Sequence, residues 1–305
     1  MPHNKSTPDD FPRIYLFGDS LTDRAFYEGD SGFGWSVGQY YDGRVEVVNE
    51  GHSGETTRSL RSQFERGIIK KVETRGCPPA PLFITIFLGA NDACLIGDST
   101  YVPLTEYEEH IRHYITTILE HPLMQETKII LITPPPVDVP SSSDAVDDLP
   151  EVAEVLRAIE RVGRGHRTWQ SKRLFAKKII EIGRDFEGKT GRVAVMDFWT
   201  MVTKAKCEEL AISEEAYQGL DGRDMLPGSG MPGAKEFGRE WFVDGLHFGK
   251  KAYEVLGREL LELLLAKWPE LEKQKFPIRV GFAPFIKGSQ VHLRKRQPGA
   301  DISAI

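Results

Sequence analysis

In "IYLFGDSLTD", which begins at Ile14, four apolar residues read as a buried strand, and Gly18 and Asp19 then break the pattern. Ser20 is left at the strand's C-terminal end, where open α/β sheets bind their ligands. Such a serine either caps the next helix or acts as a nucleophile, and the second role needs a base to take its proton. Near the C-terminus, "WFVDGLHFGKKAYEVL" places Asp244 and His247 three residues apart, just before a helical pattern. The pair reads as an Asp cap beside a solvent-facing His, or as a carboxylate that holds an imidazole in one tautomer and leaves its other nitrogen free for a proton. The second reading gives the chain order Ser…Asp…His, an order used by hydrolases with a strand–turn–helix nucleophile.

Two more strand ends carry polar groups. "NEGHSGETT", Asn49 to Thr57, is a glycine-rich turn ahead of a helix, and its N–H groups favour negative charge. It matches neither a Walker loop nor GxGxxG, which argues against nucleotide binding. "LGAND" ends in Asn91 and Asp92. An Asn in that place is commonly a cap or an Asx turn, so its interest comes from being the third successive strand end to present a polar group.

Other candidates are weaker. "GWSVG" at 34–38 fits a G-x-S-x-G elbow around Ser36, yet "YEGDSGF" before it is no buried strand. Ser36 is therefore assigned with Trp35, Val37 and Tyr40 to a helix face. Cys77, Cys94 and Cys207 form an odd set without CxxC spacing and are read as reduced thiols. Asp19, His52, Asp244 and His247 have the right donor types for a metal-dependent hydrolase but match no zinc spacing. No metal and no cofactor are expected.

These residues need elements to hold them. Five short, β-branched apolar runs lie at 13–17, 45–49, 82–89, 128–133 and 192–198. Helical patterns follow the second run ("TTRSLRSQFERGIIKKV", with Leu60, Phe64 and Ile68 in step) and the third, where Thr105 and Glu108 have capping-box spacing. Others occupy 169–190 and 249–268. Strand–helix alternation predicts a three-layer α/β/α sandwich: a five-stranded parallel sheet, doubly wound and flavodoxin-like. The expected organisation is an N-terminal tail at 1–12, one domain over 13–270 and a basic C-terminal extension at 271–305. Two insertions interrupt the domain, an acidic Ser-rich loop at 139–152 and a Gly/Pro-rich stretch at 213–240 that is either a lid or surface decoration.

Composition excludes several classes. The 305 residues are 40% hydrophobic and 28% charged, ordinary for a soluble globular protein. A net charge of −6 offers no basic face for nucleic acid. No apolar run approaches the ~20 residues that span a bilayer, so stable membrane insertion is not expected. "MPHNKSTPDDFPR" lacks the basic-then-apolar pattern of a signal peptide, and a cytoplasmic location is expected.

The blocks "GDSLTD", "NEGHSGETT", "GAND" and "DGLH", in this order, resemble the signature of the SGNH, or GDSL, hydrolases, a family of lipases and esterases. "LITPPPVD" further resembles the branch typified by isoamyl acetate-hydrolysing esterase. The resemblance implies Ser20 as nucleophile, His247 as general base and Asp244 as its orienter. It also implies an oxyanion hole from the backbone N–H groups of Ser20 and Gly54 and the side-chain amide of Asn91. Glycine at 54 is then expected because a Cβ would crowd the acyl group. The implied activity is hydrolysis of short-acyl, acetate-type carboxylic esters through an acyl-enzyme, with a lysophospholipase, thioesterase or carbohydrate deacetylase as alternatives. A small-molecule ester is the expected partner, and a homodimer is the family-level expectation. From a different class, a hydrolase-like binding module without catalysis is the competing reading.

Overall fold

Strand alternation decides the layering. In β1 (Arg13–Gly18) Ile14 and Leu16 enter one apolar cluster while Tyr15 and Phe17 enter another. Val47 and Val48 divide in the same way in β2 (Glu46–Gly51), as do Phe83 and Ile84 in β3 (Phe83–Phe87). In β4 (Lys128–Ile132) and β5 (Val193–Met196) the division falls between Ile130 and Ile129, and between Ala194 and Val193. A sheet apolar on both faces must be covered on both, which is the condition for a parallel α/β sheet. The computed structural model describes residues 11–75, 80–139, 167–278 and 285–287.

The expected five strands are all present and every pairing is parallel. A sixth, β6 (Phe285–Lys287), comes from the C-terminal extension and pairs beside β2, Val47 opposite Phe285. The order is β5-β4-β3-β1-β2-β6. From β1 the chain winds first toward β2 and then back past β1 to β3. The C-terminal ends of β1 and β3 therefore flank the switch point, where such sheets open a crevice.

The helices are α1 (Ser20–Asp23), α2 (Phe33–Tyr40), α3 (Arg61–Phe64), α4 (Lys70–Arg75), α5 (Leu104–Glu120), α6 (Trp169–Thr190), α7 (Phe198–Glu209), α8 (Glu214–Asp221) and α9 (Lys250–Lys267). Phe33, Val37, Phe198, Val202 and Leu256 place α2, α7 and α9 on one face. Phe64, Ile111, Tyr114 and Ile179 place α3, α5 and α6 on the other. As expected, Ser36 belongs to α2, where its hydroxyl donates to Gly32 O at 3.3 Å.

Two local expectations are corrected. The helical pattern after β2 starts at Arg61 rather than Thr56, because the Thr57 N–H and hydroxyl are taken by the Asp92 carboxylate, and a π-helical turn (Glu65–Ile69) links α3 to α4. The capping box at Thr105 does not form. α5 begins at Leu104 with Pro103 as its cap, Tyr107 N donating to Pro103 O at 2.8 Å, and Glu108 instead pairs with Arg112 at 2.9 Å and Lys178 at 3.0 Å.

The stretch 213–240 is a packed wall. Tyr217 and Leu226 are buried with Val137, Trp169, Trp199 and Leu246 in a third apolar cluster. The Asp138 carboxylate accepts the N–H groups of Phe237 and Gly238, each at 2.9 Å. The loop expected at 139–152 lies, beyond Val139, outside the described residues, as do the tail at 1–10, Cys77 and the basic residues after Lys287.

Candidate active site

Ser20 is the first residue of α1, at the top of β1. Asp19 caps this short helix, its carboxylate accepting the Leu21 N–H at 2.9 Å. The turn from strand to helix is tight: a Cβ on Gly18 would lie 2.6 Å from Phe87 O of the neighbouring strand. His247 arrives from the loop before α9, a loop closed by the Phe242–Phe248 bridge and by Val243 N donating to His247 O at 2.9 Å. Leu246, in the third cluster, anchors this loop to the wall built by 213–240. Gly245 O accepts the Asp138 N–H at 2.9 Å, tying the same loop to the segment that follows β4.

The three side chains expected to act together do meet. His247 Nε2 lies 3.0 Å from Ser20 Oγ, and His247 Nδ1 lies 2.7 Å from Asp244 Oδ2. The other Asp244 oxygen accepts two backbone N–H groups, from Leu246 at 3.0 Å and His247 at 2.7 Å. Partial burial alone would raise the Asp244 pKa, but the His247 ring and these N–H groups outweigh it and bring the carboxyl down to about 2. Asp244 is thus ionised across the neutral range and holds Nδ1 as the protonated nitrogen, so that Nε2 faces the Ser20 hydroxyl as an acceptor.

The other two strand ends are laced to the first. His52 N donates to Gly18 O at 3.0 Å, and Asn49 Nδ2 to Asp23 O at 3.0 Å. Asn91 Nδ2 donates to Glu55 O at 2.7 Å, fastening the end of β3 to the loop that carries Gly54. Gly54 has φ +82°, and a Cβ there would meet no atom of the described residues within 4 Å. The backbone conformation by itself favours glycine, and no described protein atom crowds that side. Ser20 stands at a helix start, where the backbone N–H has no acceptor within the helix.

Several residues that the sequence did not single out complete the site. Asp92 Oδ1 receives both Thr57 N (2.9 Å) and Thr57 Oγ1 (2.5 Å), His110 Nδ1 lies 3.1 Å from the same hydroxyl, and Tyr114 donates to Thr57 O at 2.5 Å. Burial raises the Asp92 carboxyl to about 6 despite the Thr57 bonds. Arg167 donates from Nε to Ala90 O and from an Nη to Asn91 Oδ1, both at 2.7 Å. Lys172 is fully buried in α6 and its Nζ has no hydrogen-bond partner among the described residues, so burial pushes its pKa down; Arg167 lowers it further, while Asp19 and Asp92 oppose this. Burial likewise raises the Asp19 carboxyl, against the Leu21 N–H and the Lys172 charge. Thr57 and Asp92 stood inside blocks already marked as strand ends. Arg167 and Lys172 have no local signal, since only the fold brings α6 against the end of β3.

The residues considered as metal donors do other things: Asp19 caps α1, Asp244 and His247 bind each other, and His52 Nε2 lies 3.7 Å from Glu50. Among the described residues Cys94 and Cys207 are buried free thiols. Cys94 Sγ contacts Asn91 O at 3.0 Å and Thr100 Oγ1 at 2.9 Å, and burial raises Cys207 to about 11.

An open parallel sheet that brings a serine, a histidine and a carboxylate into hydrogen-bonded series at its switch point is an arrangement suited to nucleophilic hydrolysis. The family model for GDSL-like lipase/acylhydrolases matches residues 14–260, and the chain belongs to that family. It is a carboxylic ester hydrolase by class. A GDSL esterase/lipase of Arabidopsis thaliana is 32% identical over 62% of this chain and 70% of its own length. An isoamyl acetate-hydrolyzing esterase 1 homolog of Bos taurus is 26% identical over 90% of this chain and 86% of its own. The isoamyl acetate-hydrolyzing esterase of Saccharomyces cerevisiae is 25% identical over 86% and 89%. Among solved structures, a Geobacillus acetyl-xylooligosaccharide esterase shares the fold with TM-score 0.51 and 17% identity, over 84% of this chain and 94% of that one. Among the described residues no helix is long and apolar enough to cross a membrane.

Proposed function

We propose that the chain is a serine esterase for short-acyl, acetate-type carboxylic esters, with residues 13–270 as its catalytic unit. The observation that carries the reading is the continuous series from Ser20 Oγ to His247 Nε2 at 3.0 Å and from His247 Nδ1 to Asp244 Oδ2 at 2.7 Å. Ser20 Oγ attacks the ester carbonyl carbon as His247 Nε2 takes its proton. Asp244 stabilises the imidazolium that forms. The carbonyl oxygen becomes an oxyanion, received by the N–H groups of Ser20 and Gly54 and by Asn91 Nδ2. Collapse expels the alcohol, which leaves with the proton from His247, and an acyl-Ser20 ester remains. Water then repeats the sequence with His247 as base, releasing the carboxylate and restoring Ser20. Preorganised donors of this kind are each worth on the order of 10²–10³ in rate.

The short-acyl assignment is supported by relatives named for isoamyl acetate hydrolysis that match over most of the chain. The test is initial rates on p-nitrophenyl esters from acetate to palmitate, with Ser20→Ala in parallel. Turnover that peaks at short chains and vanishes in the variant is expected. A preference for long chains would replace the substrate class with a lipid. Full activity in Ser20→Ala would remove the mechanism, and a folded wild type inert on every ester would favour a binding module.

A further inference from the structure

We infer that Arg167 is the positioning residue of the oxyanion hole, holding the Asn91 amide in the one orientation that presents an N–H to the reacting carbonyl; this rests on the proposed role of Asn91. The orientation follows from what the neighbours can do. A guanidinium only donates, so the Asn91 atom 2.7 Å from Arg167 is Oδ1. A peptide carbonyl only accepts, so the atom 2.7 Å from Glu55 O is Nδ2. A flipped amide would set oxygen against the Glu55 carbonyl and NH₂ against the guanidinium, losing both bonds. One Nδ2 hydrogen is spent on Glu55 O, which leaves the second for the oxyanion.

The hold is rigid at its other end. Arg167 grips two consecutive residues of the β3 end, Ala90 O through Nε and Asn91 Oδ1 through Nη. It forms an isolated bridge with Cys94 and directly precedes Thr168, the N-cap of α6, whose hydroxyl accepts the Ser171 N–H at 3.0 Å. Ser171 Oγ in turn donates to Ala93 O at 2.7 Å, so the start of α6 is pinned along the whole 90–94 turn. Asn91 is only 4% exposed. Without Arg167 its Oδ1 is a buried acceptor with no donor among the described residues, a costly state that the side chain relieves by rotating, and that rotation carries Nδ2 out of line. The guanidinium charge also polarises the amide, which makes the remaining N–H a stronger donor. A lysine has one nitrogen and cannot hold Ala90 O and Asn91 Oδ1 in the same fork.

The experiment is a double-mutant cycle on p-nitrophenyl acetate, reading kcat, KM and melting temperature for Arg167→Met, Asn91→Ala and the pair. Arg167→Met is expected to lower kcat by about tenfold to a hundredfold with KM changed less than about twofold. Added to Asn91→Ala it is expected to lower kcat no further, while its effect on melting temperature persists, because in kcat the two residues act as one unit. Arg167→Lys, which keeps the charge and most of the stem, is the second variant should Arg167→Met fold poorly; a smaller kcat loss with the same non-additivity is expected. Full kcat in Arg167→Met, or losses that add in either cycle, would overturn the inference while leaving the esterase reading in place. Wild-type kcat in Asn91→Ala would instead overturn the oxyanion-hole reading, and with it any role for Arg167 in the reaction.

Discussion

Replacing Asp244 by Asn separates the geometry of the proposed triad from its proton arrangement. In the wild type one carboxylate oxygen accepts the His247 ring N–H at 2.7 Å while the other accepts the backbone N–H groups of Leu246 and His247, at 3.0 and 2.7 Å. An asparagine fits the same space, yet it must keep its carbonyl oxygen on the two backbone donors, since an NH₂ there would face two N–H groups. Its NH₂ is therefore forced onto His247 Nδ1 and donates to it. The imidazole then carries its proton on Nε2, the nitrogen 3.0 Å from Ser20 Oγ, and cannot accept from the serine. In a serine hydrolase with a buried triad the same wrong-tautomer effect costs about 10⁴ in kcat. Because the backbone donors block the amide flip here, a loss of about 10³–10⁴ is expected even though the Asp244 side chain is 50% exposed. Asp244→Ala leaves the tautomer free and is expected to lose less. The assay is kcat on p-nitrophenyl acetate across pH, with melting temperature to verify the fold. Asp244→Asn within about tenfold of wild type would refute the tautomer reasoning and remove Asp244 from the triad.

Gly54→Ala is expected to lower kcat by about tenfold or more with little change in melting temperature: the new Cβ meets no atom of the described residues, but φ +82° is unfavourable for alanine and the loop shifts its N–H. An unchanged kcat would take the Gly54 N–H out of the oxyanion hole. Leu226→Ala, at a fully buried position, should cost ~2–5 kcal/mol in denaturant unfolding and loosen the His247 loop through Leu246; a loss under about 0.5 kcal/mol would show that 213–240 is surface decoration after all. Asp92 titrates near 6 in the folded chain against 3.8 for an ordinary aspartate, so the folded state binds more protons between those values and stability falls as pH rises from about 4 to 6. Asp92→Asn should flatten that part of the profile of melting temperature against pH, and an unaltered slope would assign it to another group.

The resemblance in four short blocks was legible because each block is local. A nucleophile at a strand end, a glycine-rich turn, an Asn at the next strand end and an Asp-x-x-His pair before a helix each need only a few consecutive residues of the right type. The sheet was legible for a similar reason: runs such as "LFITIFLG" are short, β-branched and apolar throughout, as strands covered on both faces must be. Helix starts were less so. Thr105 and Glu108 have the spacing of a capping box, but Pro103 takes the cap, and Thr57 leaves its helix because Asp92, 35 positions away, claims its donors.

What the sequence determines by itself is the set of candidate reacting groups and the layered sheet that carries them, since residue type and period are properties of neighbours along the chain. The tertiary structure decides everything that depends on distance between elements. It brings Ser20 and His247 to 3.0 Å across 227 positions, adds a left-handed backbone conformation to the glycine requirement at 54, and makes 213–240 a wall behind the histidine loop. It alone sets Arg167 against Asn91 and buries Lys172 beside Asp19 and Asp92. The energies that fix such contacts come from burial and pairing between elements remote in sequence, and no local pattern of residues encodes them.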